Sequence, residues 1–135
     1  MDEYFDKFPI LDKFNVSRET FSTLNDFRKK IIEKNSEINL ISTKSTSNSM
    51  NRHIIDCAQV IDLIDINSKT CTDIGSGAGL PGIVLSILIR DKKIDVKMNL
   101  YEKSYRKSLF LRSVSKKLKL DTEIFEEDIF KKAKS

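Results

Sequence analysis

The chain has 135 residues, of which 39% are hydrophobic and 33% charged, with 24 Lys and Arg against 20 Asp and Glu for a net charge of +4. That length supports one core of ordinary globular composition and excludes an assembly of several large domains. With one histidine, two cysteines without metal-ligand spacing, no apolar run of bilayer-spanning length and an acidic start Met1-Asp2-Glu3 unlike a signal peptide, no metal site and no membrane partner are expected, and the location is expected to be cytoplasmic.

Residues 1–16 mix charge with Tyr4, Phe5, Phe8, Phe14 and Pro9, and are expected to form an arm or short helical turn docked on the body. Ser17 can cap a helix whose apolar face is Phe21, Leu24, Phe27, Ile31 and Ile32, with Val16 placed as a staple against Phe21. The run Ser42–Asn51, rich in Ser, Thr and Asn, reads as a loop or frayed helix start. From Met50 to Ile64, the residues Met50, Ile54, Cys57, Ala58, Ile61 and Ile64 form one helical stripe. Beside it Arg52, His53 and Asp56 can meet on a single turn. That trio reads either as a surface ion pair with a packed histidine or as part of a binding surface.

The second half alternates strand and helix: strand Lys69–Ile74, helix Pro81–Arg90, strand Val96–Tyr101 ending in Glu102, helix Ser104–Leu118 with Ser104 as N-cap, and strand Thr122–Phe125. This order predicts an α/β fold with a parallel, right-handed sheet. Residues 1–65 form its N-terminal helical part and 66–135 the first half of the alternating core, in one domain overall. Cys57 and Cys71 fall on apolar positions and are expected as buried free thiols.

All four glycines of the chain, Gly75, Gly77, Gly79 and Gly82, lie in the link between the first strand and its helix. Such a link turns sharply and lets backbone N–H groups approach a ligand at a helix start. The plain alternative is a tight turn whose glycines serve packing alone. Gly77-x-Gly79-x-x-Gly82 fits a dinucleotide fingerprint, and Glu102 closes the second strand about where such sites place a ribose-binding carboxylate. The form Asp73-x-Gly75-x-Gly77-x-Gly79 resembles more closely the S-adenosylmethionine loop of class I methyltransferases, which implies Asp73 on the ammonium side of the methionine tail. Asp128 follows the third strand, where that class often sets an acid for the adenine amine. A helix N-cap is the other reading of it.

Longer matches narrow the resemblance. Asn39-Leu40-Ile41-Ser42, Arg52-His53-Ile54-Ile55-Asp56, the stretch Asp73 to Ile83 with Gly79-Leu80-Pro81-Gly82, and Glu102 followed by Arg106-Lys107 and Phe110-Leu111 occur in an order similar to the ribosomal RNA small subunit methyltransferase G family, also called glucose-inhibited division protein B. The resemblance runs from about Phe21 to about Phe130. It implies a Rossmann-like, S-adenosylmethionine-dependent enzyme that methylates guanine N7 of 16S rRNA in the small ribosomal subunit. Cofactor contacts are then implied at Asp73, Gly75, Gly77, Gly79, Leu80, Glu102, Asp128, Ile129 and Phe130. RNA contacts are implied at Arg52, His53, Arg106 and Lys107.

Two departures stand out. Asp128-Ile129-Phe130 replaces the family's Arg, apolar residue and Glu. The chain also ends at Ser135, where family members continue through further strands, so an incomplete sheet of about three strands is expected, with association through an unpaired edge. A truncated, inactive remnant that binds RNA or another chain is the alternative function, and a dinucleotide-dependent oxidoreductase a weaker third. Late basic residues, including Lys103, Arg112, Lys116, Lys117 and Lys119 and the tail Lys131, Lys132 and Lys134, make a phosphate-facing surface or a solvated helix face.

Overall fold

The computed structural model describes residues 4–42 and 48–134, apart from the side chains of Arg52 and of residues 132–134. Residues 43–47, within the expected Ser42–Asn51 loop, lie outside the described residues, as do the side chains of Lys132 and Lys134 in the basic tail. No helix among the described residues is long and apolar enough to cross a membrane.

The N-terminal arm forms two 3-10 segments, Phe5–Lys7 and Pro9–Phe14. It docks by burying Leu11 and by gathering the rings of Tyr4, Phe5 and Phe8 around Phe21 at centroid separations of 5.7, 5.1 and 6.0 Å. Helix α1 (Arg18–Lys34) starts where expected, with the Ser17 Oγ accepting from the Thr20 N–H at 3.1 Å. Its inward residues Phe21, Leu24, Phe27 and Ile31 are buried because their spacing returns them to one side of the helix.

The segment expected as one uniform helix is wound in three ways. A wide π turn, Met50–Ile55, leads into one α turn, Asp56–Ala58, and a 3-10 stretch, Gln59–Leu63, together called α2. The wide turn carries the inward face across two adjacent residues, so Ile54 and Ile55 are both buried, while Cys57 and Ile64 at the edge of the expected stripe are only half-buried. Both cysteines are free but half-buried, not the fully buried thiols the apolar pattern suggested.

Strands β1 (Thr70–Ile74), β2 (Lys97–Tyr101) and β3 (Thr122–Phe125) form a parallel sheet in the order β1-β2-β3, in register at Thr72, Asn99 and Glu123. The crossovers are α3 (Gly82–Asp91) and α4 (Tyr105–Lys117). Element ends move by a residue from the sequence expectation; α3 begins at Gly82 because Pro81 takes the N-cap position. Both helices cover the face carrying Met98 and Leu100, which are 1% and 0% exposed. On that side the Thr122 Oγ1 donates to Ser115 of α4 at 2.7 Å, and the start of α3 lies against Leu100. Helices α1 and α2 add a further layer by packing on α3. The result is an incomplete Rossmann-like α/β fold: a three-stranded parallel sheet with helices.

Candidate functional site

The link between β1 and α3 folds over the carboxyl ends of the strands. Its first two N–H groups, from Gly75 and Ser76, both donate to the Tyr101 carbonyl at 2.9 and 3.0 Å, which fastens the loop to the end of β2. Ser76 is buried and its hydroxyl donates back to the Asp73 carbonyl at 3.3 Å. Two pairs of glycines then do different work. Gly75 and Gly77 hold positive φ of 71° and 54° with open space where a Cβ would stand. Gly79 and Gly82 are close-approach positions: a Cβ would sit 2.5 Å from Ile83 Cγ1 at Gly79, and 2.2 Å from Leu100 Cδ2 at Gly82. Packing alone thus describes Gly82, Gly79 combines a close approach with a positive φ of 93°, and the exposed turn belongs to Gly75 and Gly77.

Glu102 is 6% exposed and lies directly under this turn. Its Oε1 accepts from the Gly77 N–H at 2.8 Å, and its Oε2 from the Ser104 N–H at 2.7 Å. A carboxylate offers roughly four lone-pair sites, so two acceptor positions remain beside those taken by the backbone. Two free acceptor positions suit the two hydroxyl donors of a ribose diol, and the open side of Gly75 and Gly77 leaves the loop backbone accessible next to them.

The neighbouring segments converge on the same rim. The Glu102 carbonyl accepts from the Glu127 N–H at 3.1 Å, which brings the start of α5 (Ile129–Lys134) alongside. Asp128 caps that helix, its Oδ1 accepting from the Phe130 and Lys131 N–H groups at 3.1 and 3.2 Å, so its N-cap role is occupied. Ile129 is half-buried and Phe130 is 71% exposed. On the other flank Ser104 caps α4 through its Oγ, which accepts from the Lys107 N–H at 3.3 Å. Arg106 and Lys107 therefore stand in the first turn of α4, a turn without acidic residues. Arg106 is exposed and donates through Nη2 to the Glu37 carbonyl at 3.1 Å.

Asp73 takes a different position. Its Oδ2 accepts from the Gly82 N–H at 3.1 Å, so it caps α3 from the preceding strand and lines a groove with Pro81 and Leu85. Burial pushes its carboxyl above the ordinary range, the nearby Glu102 charge adds to this, and hydrogen bonds from Ser76 and Gly82 oppose it. Leu80 is half-buried in the turn, joined to Pro81 by a cis peptide bond. His53 is half-buried in α2, and the side chain of Arg52 lies outside the described residues. Among the described residues, no three His, Cys, Asp or Glu side chains gather as metal ligands.

Sequence reasoning missed Ser76, and it missed the Ser104 N–H as a donor to Glu102 although it placed Ser104 as the N-cap. Ser76 is flanked by two turn glycines, a local signal for a buried hydroxyl in the loop. The Ser104 N–H reaches Glu102 through a turn that only the folded chain defines.

Comparison with known proteins places this geometry in context. The family model for GidB, rRNA small subunit methyltransferase G, matches residues 20–135. A protein named ribosomal RNA small subunit methyltransferase G from Pelagibacter ubique is 47% identical over 136 residues, covering 99% of this chain and 64% of that protein. Proteins of the same name from Bartonella tribocorum and a Ruegeria species are 38% and 40% identical, covering 87% and 77% of this chain and 56% and 50% of their own lengths. The chain thus spans about half to two thirds of the length of these curated relatives. With a family match over most of its residues and a glycine turn closed by Glu102, the chain belongs to the rRNA small subunit methyltransferase G family.

Proposed function

We propose that this chain supplies the cofactor-binding part of an S-adenosylmethionine-dependent methyltransferase acting on guanine N7 in 16S rRNA of the small ribosomal subunit. The observation that carries the reading is the buried Glu102 carboxylate held against the Gly77 N–H at the carboxyl end of β2. The names of the relatives support an rRNA substrate.

In this reading Gly75, Gly77, Gly79 and Leu80 shape the turn that receives the methionine end. Glu102 accepts the ribose hydroxyls on its two remaining acceptor positions. Ile129 and the backbone after Asp128 flank the adenine, while Phe130 offers an exposed ring at the same rim. Asp73 acts at one remove, by holding the start of α3 and thereby the end of the glycine turn. The cofactor supplies an electrophilic methyl group on a sulfonium.

Guanine N7 has an available lone pair and no proton to lose, so the chain needs no general base for this transfer. Its contribution is orientation, which is worth up to roughly 7–11 kcal/mol when two reactants are held in line. Arg106 and Lys107 sit at the positive end of α4, where acidic residues are the stabilising choice, and their placement fits contact with RNA phosphates. Arg52 and His53 are assigned to the same RNA side by the family resemblance. A cytoplasmic location follows from the substrate.

Isothermal titration of the chain with S-adenosylhomocysteine and with NAD tests the cofactor reading. Binding of the first and not the second is expected; preference for NAD would overturn it. Labelled methyl transfer to small subunits lacking the modification tests the substrate, with weak or absent transfer expected from this chain alone. The second reading, a non-catalytic remnant that binds RNA or a partner chain, is favoured by the outer edge of β1, which pairs with no strand among the described residues, and absence of response to both nucleosides would support it.

A further inference from the structure

Helix α4 carries Arg106, Lys107, Arg112, Lys116 and Lys117 and no acidic residue. Together with the end of α1 and the residues after it, α4 encloses a groove of about 480 Å³ that shares no residue with the glycine turn. Its cations are Lys30 and Lys34 from α1 and Arg106 and Lys117 from α4. Its carboxylates are Glu33 and Glu37, and Glu37 is already paired with Lys34, which holds its carboxyl below the ordinary range. Among the described residues Lys30 and Lys117 enter no ion pair, so their charges are left for an external anion. The floor is apolar: Ile38, Phe110 and Val114 are 7%, 6% and 2% exposed, and Leu109, also in the lining, is 45% exposed.

The groove is joined to the rim of the candidate site. Arg106 donates through Nη2 to the Glu37 carbonyl at 3.1 Å, which ties the chain just after α1 to the start of α4. A second groove of about 320 Å³ shares Glu37, Ile38 and Arg106 with the first and runs on to Lys107 and Ser104. The Ser104 N–H is the one that Glu102 accepts at 2.7 Å, so a path leads from beside the glycine turn to Lys117 along roughly 20 Å of α4. A helix with cations only suits a polyanion, whose phosphates neutralise them in series. An apolar floor in a groove of this volume suits one flat ring system better than the side of a partner helix.

We infer that the groove between α1 and α4 is a second RNA-contact site, which seats an unpaired nucleotide with its base on Ile38, Leu109 and Phe110 and its flanking phosphates at Lys30 and Lys117. The inference rests on the RNA reading proposed above and adds a contact remote from the methyl-transfer site. Unstacked bases are the part of an RNA that proteins grip most readily, and an apolar slot bordered by cations accepts one without a fixed sequence. The groove thereby gives the chain a hold on RNA that does not depend on the target guanine.

The test follows the fluorescence anisotropy of a short labelled single-stranded RNA with the full chain over a salt series, beside titration with S-adenosylhomocysteine. Lys30→Ala and Lys117→Ala should each weaken RNA binding about threefold or more and reduce the slope of log K against log salt by about 0.7, the value for one phosphate contact on a single strand. Leu109→Asp sets a charge on the floor at a half-exposed position and should weaken RNA binding about tenfold or more. All three variants should melt as the parent chain does and bind S-adenosylhomocysteine unchanged. Lys107→Ala, at the rim, reports on the RNA reading itself. Loss at Lys107 without loss at Lys30, Lys117 and Leu109, or weaker binding with an unchanged salt slope at both lysines, would overturn the groove assignment alone. A chain that binds no RNA would overturn it together with the RNA reading. Displacement of the RNA by polyglutamate at equal charge concentration would overturn it in favour of an acidic polypeptide.

Discussion

Glu102 and Gly77 are 25 residues apart in the chain, yet the carboxylate of one accepts the backbone N–H of the other at 2.8 Å. The same carboxylate accepts from Ser104, so it joins the glycine turn, the end of β2 and the start of α4 at one buried point. Replacing it with an amide keeps its shape but turns a donor toward one of these N–H groups. Hydrogen bonds to charged groups are worth about 1.5–3 kcal/mol. Glu102→Gln should therefore lower stability by roughly that amount in a denaturant titration and weaken S-adenosylhomocysteine binding about tenfold or more. Unchanged stability together with unchanged affinity would contradict the joint role.

The four glycines should separate into two classes on substitution by alanine. At Gly79 and Gly82 the new methyl meets Ile83 and Leu100 far inside contact distance, and overpacking costs about 1–3 kcal/mol. At Gly75 and Gly77 the methyl meets open space, leaving a conformational cost of about 1–2 kcal/mol for the left-handed backbone. Gly82→Ala isolates the packing contribution, since the backbone there lies outside the left-handed region. Thermal melts should rank Gly79→Ala as the most destabilising, while nucleoside titration should show the greatest loss per unit of lost stability at Gly75 and Gly77.

Asp73 gives a signed pH dependence. Burial, then the neighbouring Glu102 charge, raise its carboxyl above the ordinary value of 3.8. The folded chain holds that proton more tightly than the unfolded one, so this contribution to stability is complete below 3.8 and is lost as pH rises through the raised value. Asp73→Asn removes the charge and keeps an oxygen for the Gly82 N–H. Its melting temperature at neutral pH should equal or exceed that of the parent chain, with a flatter profile on the acid side. A steeper profile would contradict the assignment.

The two cysteines should be slow to react. Burial, with the charges of Asp56 and Asp73, pushes the Cys57 thiol up to about 12, and burial and Asp73 also raise Cys71. Thiolate is the reactive form, and at pH 8 a thiol near 12 presents only about one part in ten thousand of it. Iodoacetamide at that pH should label the native chain slowly and the urea-unfolded chain at two sites within minutes. Rapid native labelling at Cys57 would contradict the burial of that thiol.

Local patterns in the sequence were enough for α1, α4 and β3. Ser17 and Ser104 cap their helices as side-chain chemistry requires, and the inward residues of both follow helical spacing. Helix α2 was legible as helical but not in its winding. Its wide turn at Met50–Ile55 depends on how Ile54 and Ile55 share the core, and neighbouring residues carry no signal for that. The glycine turn was equally legible as a turn, whereas its division into packing and open positions depends on Ile83, Leu100 and Leu111.

By itself the sequence determined a strand, a glycine turn and a helix in succession, with a carboxylate closing the next strand, because turn chemistry and residue spacing are local. Tertiary structure decided where the acids point. Strand alternation turned Asp73 toward the helices to cap α3, parallel pairing of β1 with β2 carried Glu102 under Gly77, and the return of the chain after β3 gave Asp128 to the start of α5. Each of those outcomes is a contact between elements, so it exists only once the strands are in register and the buried carboxylates have taken the backbone donors within their reach.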